Sequence, residues 1–421
     1  MPPGSRPGTI RGWGGARRDG RRIAGPVLCA LLVFAAAGTP CAVRADDPPP
    51  QTASALRDAD ILGPQSDAFR VQSVTTRITS FDQRGNGYQA QGGPTATSPG
   101  SERATILEPQ AEVVATQGPR WTHTFRVPVD VVTSASPDAI DVMTSASRHV
   151  ESGEIDWAGK YKMTPTDDVT LAGGIHLENP FRSWSASLAW SRAFADGDTV
   201  VSASFLEVFD WFDQFDIQGH RHGRTDRSSN TVSAGVTQIV TPTTVVNVNY
   251  GITLQRGELG NTWNSVPLAD MTRGPELLPT ERVRHAVVAR LAQFLPWNGA
   301  LHAYYRFYAD DWGNVAHSVE GELLQRISRL LYVGALYRFH RQSGVSFFTP
   351  LADLTAPLRT ADSDLAPFDA QTLGGKIAID APLAPLRREV RAVSFEVGYE
   401  RYFRTNDLHV DVFTWATGYR F

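Results

Sequence analysis

Arg282, Arg284 and Arg290 share one parity of a single segment. Arg306, Glu320, Glu322, Arg338, His340, Glu396 and Glu400 repeat that spacing in the segments that follow. Glu154, Asp156, Lys160 and Lys162 do the same nearer the N-terminus. Charges spaced by two belong on one face of extended chain, because successive strand side chains point to opposite sides. Acidic and basic residues on neighbouring strands can pair and steady a wet wall, or act as a charged constriction that selects solutes by sign. His220-Arg221-His222, beside Asp213, Asp216 and Asp226, has the donor types of a divalent-metal site. The spacing is common by chance, however, and no strand is expected to hold it, so no metal is assigned. The Gly-x-Ser-x-Gly elbow, the phosphate loop, His-Glu-x-x-His and Gly-x-Gly-x-x-Gly are all absent. The chain is therefore expected to have no catalytic residues, no cofactor and no enzymatic activity.

The elements that must hold these charges are strands. Trp184, Ala186, Leu188 and Trp190 alternate with serines, and Val246, Val248, Tyr250, Ile252 and Leu254 alternate with Asn247, Asn249, Gly251 and Thr253. Helical spacing fits neither run. About sixteen such segments are expected, near 68–83, 103–115, 120–132, 153–163, 168–177, 183–193, 198–212, 228–240, 243–256, 281–295, 299–309, 314–327, 330–343, 369–381, 392–404 and 408–421. The connections after even-numbered segments are mostly short and rich in turn residues. The long ones, near 84–102, 133–152, 213–227, 257–280 and 344–368, follow odd-numbered segments. Only 382–391 is an outsized turn. Sorting of this kind is the habit of antiparallel transmembrane barrels, with short turns on one side of the membrane and long loops on the other. A small repeat, Asp130–Ser136 and Asp141–Ser147, flanks one of the long loops; two copies make no solenoid.

The two ends agree with a barrel in the bacterial outer membrane. Residues 1–45 carry a basic start, an apolar run from Val27 to Ala37 and Val43-Arg44-Ala45, the features of a signal peptide cleaved near Ala45. That apolar run is too short to span a bilayer as a helix. Residues 46–67, opening Asp-Asp-Pro-Pro-Pro, are expected to form a flexible periplasmic tail, and 68–421 the barrel. Both cysteines, Cys29 and Cys41, fall in the leader, so the mature chain is expected to hold no disulfide or thiolate metal site. Losing residues 1–45 removes seven arginines and one aspartate, leaving 33 basic against 43 acidic residues, which argues against a nucleic-acid partner. No later apolar run reaches about 18 residues, so a membrane location requires a closed barrel. At the C-terminus Phe413, Trp415, Tyr419 and Phe421 share one parity. Trp415, Tyr419 and Phe421 are the expected signal for the barrel-assembly machinery. Trp157, Tyr161, Trp184 and Trp190 are expected to anchor in outer-membrane lipid.

Four stretches carry a resemblance: Tyr305–Gly313 with Ala316-His317, Tyr337–Gly344 closing on Phe347-Phe348, Val129–Pro137, and Thr280–Ala286. They resemble the outer-membrane proteins grouped as domain-of-unknown-function family 3570, over about 68–421. Phe307, Phe339 and His340 depart from the tyrosines of the family pattern, a conservative change on a strand. The resemblance implies a barrel and no agreed activity, and loosely a redox setting. Asp310-Asp311-Trp312-Gly313, the most specific string, has the chemistry of a tight hydrogen-bonded turn, with Trp312 expected at the membrane rim. The expected role is a passive channel for small polar solutes with a charged lumen. The rival is a non-conducting sheath that docks an exported flavin- or haem-bearing partner, periplasmic or lipoprotein. An adhesin or receptor acting through loops 213–227, 257–280 and 344–368 is a third reading.

Overall fold

A computed structural model describes residues 68–85, 103–135, 151–178, 180–215, 220–260, 264–383 and 390–421. The signal peptide, the periplasmic tail and the second copy of the small repeat lie outside the described residues.

Sixteen antiparallel strands close into a barrel. They are β1 (Phe69–Gly85), β2 (Ala104–Gln117), β3 (Trp121–Ala135), β4 (Glu151–Lys162), β5 (Asp167–Leu177), β6 (Phe181–Phe194), β7 (Thr199–Phe215), β8 (Arg221–Thr241), β9 (Thr244–Gly257), β12 (Glu281–Leu295), β13 (Gly299–Asp310), β14 (Val315–Arg326), β15 (Leu331–Gln342), β16 (Phe368–Pro382), β17 (Ala392–Arg404) and β18 (Leu408–Arg420). Between β9 and β12 a small hairpin, β10 (Ser265–Pro267) and β11 (Arg273–Pro275), stands apart from the barrel. Each strand pairs with its neighbours in sequence order. β1 pairs with β18 from Ser73↔Arg420 to Gly85↔Leu408, so the sheet has no open edge. Closure is what allows backbone polarity to sit in hydrocarbon, where each unpaired group would cost several kcal/mol.

Alternation divides each strand between lipid and lumen. Ile155, Ile175, Leu188, Val232, Leu373 and Phe413 all point outward and are 50–63% exposed. An outward face this apolar belongs in a bilayer. Aromatic residues gather on it near both rims. At the turn rim Trp121 packs on Tyr161 and His123, and His123 on Phe69 and Trp157. Toward the loop rim the Tyr250 and Tyr305 hydroxyls each lie 2.8 Å from the Nδ1 atoms of His285 and His317. Trp184, Trp415 and Tyr419 are likewise exposed on this face.

One expected loop is corrected. The segment 213–227 is mostly strand: β7 continues to Phe215 and β8 already begins at Arg221, with Asp213 opposite Arg224. Arg221 and Arg224 both reach Asp213, at 2.7 and 3.0 Å. This extension carries few apolar residues, so it lacks the alternation that marks a lipid-facing strand. His222 therefore sits on β8 rather than in a loop, and no metal-binding group of three His, Cys, Asp or Glu occurs among the described residues.

Two long connections on the loop rim fold together. The hairpin segment and residues 343–367 meet through bridges Leu268↔Ala352 and Leu277↔Arg359, over a small core of Val266, Leu268, Ala352 and Ala361. Asp270 tightens the hairpin turn by accepting bonds from the Thr272 amide and hydroxyl, which hold its carboxyl below the usual range.

Candidate functional site: a charged lumen

Register between neighbouring strands decides what each charge of the inward parity meets. From β13 to β17 most of the charges, Arg306 apart, are answered by groups on neighbouring strands. Glu320 stands opposite Arg338 and accepts its Nε at 2.6 Å. Glu322 is held between Lys376 at 2.7 Å and His302 at 3.2 Å. His340 lies 2.8 Å from the Ser318 hydroxyl and packs on Phe368. Glu396 accepts from the Tyr332 hydroxyl at 3.4 Å. Glu400 sits beside Gly374, where an added Cβ would fall 2.8 Å from its Cγ.

On β12 the three arginines separate in role. Arg282 is bound to Asp310 at 2.5 Å and lies over the Trp312 ring at 4.2 Å. Arg284 donates to the Tyr308 hydroxyl and to Gln255, each at 3.1 Å. Arg290 lies over Tyr304 and reaches Asn247 at 3.5 Å. Arg306, on β13, lies against Tyr308 and has no carboxylate at ion-pair distance among the described residues.

Asp310-Asp311-Trp312-Gly313 forms the tight turn between β13 and β14. Gly313 takes φ +91°, a conformation that costs any other residue strain. Asp310 accepts bonds from Arg282, the Tyr308 hydroxyl at 2.6 Å and the Asn314 amide at 2.9 Å. Asp311 accepts the Val283 amide at 3.0 Å. Trp312 is not at the lipid rim. It is buried at 4% exposure, donates its indole N–H to the Glu281 carbonyl and meets Phe347 edge-on. The motif clamps β12, β13 and the 343–367 connection to one another. A buried tryptophan under a guanidinium contributes packing and cation–π energy that an interfacial one would not.

Of a second cluster, sequence reading had Glu154 and Asp156 but missed Glu108, Arg126, His176 and Glu178. Glu108, Arg126, Glu154, Asp156 and His176 face inward from β2 to β5, with Glu178 just beyond. His176 lies between two carboxylates, with Nδ1 3.6 Å from Glu154 and Nε2 3.4 Å from Glu178. Arg126 bonds Glu112 at 2.9 Å. Asp156 lies over Gly174, where a Cβ would fall 2.2 Å from its Oδ1, so glycine leaves room for the carboxylate. The alternation of β2 is broken by Pro109 and crowded with polar residues, which hid Glu108.

These residues and Arg284 and Arg306 line one cavity of about 410 Å³ inside the barrel. Ser183, Ser185, Ser229, Thr231 and Thr253 line it between the acidic and basic walls. β4 and β13 stand seven strands apart in a ring of sixteen, so the two walls nearly oppose each other. Between them Arg227 is bound to Asp210 at 2.5 Å, and Ser183 donates to the same aspartate.

The barrel, its inward charge and its Asp-Asp-Trp-Gly clamp define a membrane β-barrel with a polar interior. The profile of the family described as "Protein of unknown function (DUF3570)" matches residues 149–411, and the chain belongs to that family. No curated protein matches it. Among solved structures it is similar to a Pseudomonas aeruginosa FadL homologue, at 11% identity and TM-score 0.40, covering 84% of this chain and 90% of that one. It is also similar to Pseudomonas aeruginosa OccD3 (OpdP), at 9% identity and TM-score 0.42, covering 85% and 93%. A BenF-like porin from Pseudomonas fluorescens Pf-5 is similar at 7% identity and TM-score 0.41, covering 85% and 100%.

Proposed function

We propose that this protein is a passive outer-membrane channel for small polar solutes, with an acidic and a basic wall facing each other across its lumen. The observation that carries the reading is the cavity of about 410 Å³ within the closed barrel, lined by Glu108, Glu154 and Asp156 on one side and Arg284 and Arg306 on the other. Charges of opposite sign held apart set up a field across the path of a solute, and low-dielectric walls focus it. Ion pairs such as Glu320–Arg338 steady the wall and contribute little field, because each charge is answered by its neighbour. The outward aromatics Trp415 and Tyr419, with Phe421, serve the barrel-assembly machinery that seats the protein in the outer membrane.

The test is current through a planar bilayer. Purified barrel, shown to be folded by heat-shifted gel mobility, is expected to give steady single-channel conductance. Silence from the folded barrel would overturn the channel and direct attention to a docking role for an exported partner.

A further inference from the structure

We infer that the lumen cavity is a binding site for small zwitterions, such as short free peptides, with the ammonium held by the β2–β5 wall and the carboxylate by Arg284 and Arg306. The inference rests on the channel reading for its biological use, but the site itself is argued from geometry.

Three observations carry it. The walls have opposite sign and nearly oppose each other around the ring, so an anion or a cation satisfies only one of them. A solute with both charges at separated ends satisfies both. The acidic wall also has unused capacity. Glu178 is buried at 6% exposure, and its Oε1 has no hydrogen-bond partner although its other oxygen meets His176. Glu108 has no ion-pair partner among the described residues, and an ammonium has three donors to offer such acceptors. Glu178 itself is closed off, so it is Glu108, facing the cavity without an ion-pair partner, that favours a donor-rich ligand end there. Finally, the Ser and Thr hydroxyls between the walls suit a polar peptide middle, and the cavity volume accommodates one of a few residues.

A zwitterion also answers the charge balance of the site. Around this cavity Arg126, Arg227, Arg284 and Arg306 face Glu108, Glu154, Asp156, Glu178 and Asp210, with His176 among the carboxylates. A net-neutral ligand leaves that near-balance undisturbed, whereas a singly charged one adds to one sign.

The experiment is isothermal calorimetry on the full, folded barrel in detergent at low salt. The probes are trialanine, N-acetyl-trialanine (ammonium blocked) and trialanine amide (carboxylate blocked). Trialanine is expected to bind about tenfold tighter than either blocked form, as one charge-assisted contact of roughly 1.4 kcal/mol requires. Arg306→Gln is expected to erase the advantage over trialanine amide, and Glu108→Gln the advantage over the acetylated peptide. These opposite signatures separate a site effect from loss of fold, which would weaken all three probes alike. Equal binding of the three peptides to the wild type would overturn the site even if the barrel conducts. Preferential trialanine binding to a silent barrel would keep the site and sink the channel.

Discussion

The β13–β16 wall and the wall of β2–β5 are built by the same alternation, yet they treat charge in opposite ways. In the first, Glu320 meets Arg338 on the adjacent strand, and Glu322 meets His302 and Lys376. In the second, Glu108, Glu154, Asp156 and Glu178 outnumber Arg126 and His176 on one side, and Arg284 and Arg306 stand across the barrel. Neighbour-paired charge makes a rigid, electrically quiet wall. Segregated charge makes a field in the space between. The lumen thus contains a neighbour-paired wall and a carboxylate-rich one, distinguished by which residues the strands bring together.

The largest expected effect comes from breaking the paired side where it is most buried. The Asp310 side chain is fully buried and answers Arg282, whose side chain is 11% exposed. Asp310→Ala leaves that guanidinium uncompensated, and is expected to cost about 3–5 kcal/mol of unfolding free energy. Urea titration of the barrel in lipid vesicles, followed by tryptophan fluorescence, measures it; Glu108→Gln, on the segregated side, is expected to leave the midpoint nearly unmoved.

The inward–outward partition beneath the comparison can be tested on adjacent residues of β6. Leu188 points to lipid and Ser187 to the lumen. Leu188→Arg is expected to cost about 2–4 kcal/mol if it sits near the bilayer midplane, and Ser187→Arg much less. The same urea titration distinguishes them, and equal costs would mean that the lumen assignment is wrong on this strand.

A smaller effect is expected at the clamp. Trp312→Ala removes the buried ring that joins Arg282 to Phe347, and should loosen the 343–367 connection while leaving the strands closed. Limited proteolysis is expected to cut that connection sooner, with the heat-shifted band retained. Unchanged cleavage would show that the Leu268–Ala352 and Leu277–Arg359 bridges hold the connection without it.

Much of this architecture was legible in the chain. Strand bounds such as 281–295 and 392–404 coincide with the expected segments, because lipid on one side and water on the other enforce a strict period of two. The extension of β7 and β8 was not legible, since its polar residues lack that alternation. The parity of the arginines on β12 was readable, but their partners were not. Whether Arg282 meets Asp310 and Arg284 meets Tyr308 depends on register across strands, which a single sequence does not print. Trp312 looked interfacial because aromatic residues at strand ends usually are; its burial follows from the 343–367 connection packing over it.

The most direct test of the central claim is the reversal potential of the folded barrel under a salt gradient, for the wild type, Arg306→Gln and Glu108→Gln. A unit charge at about 4 Å in water-like surroundings is worth about 1 kcal/mol, enough for roughly a five-fold change in ion preference. Losing Arg306 is predicted to move the potential toward cation preference, and losing Glu108 toward anion preference. No shift, or shifts of the same sign, would contradict a lumen whose two walls carry opposed and segregated charge.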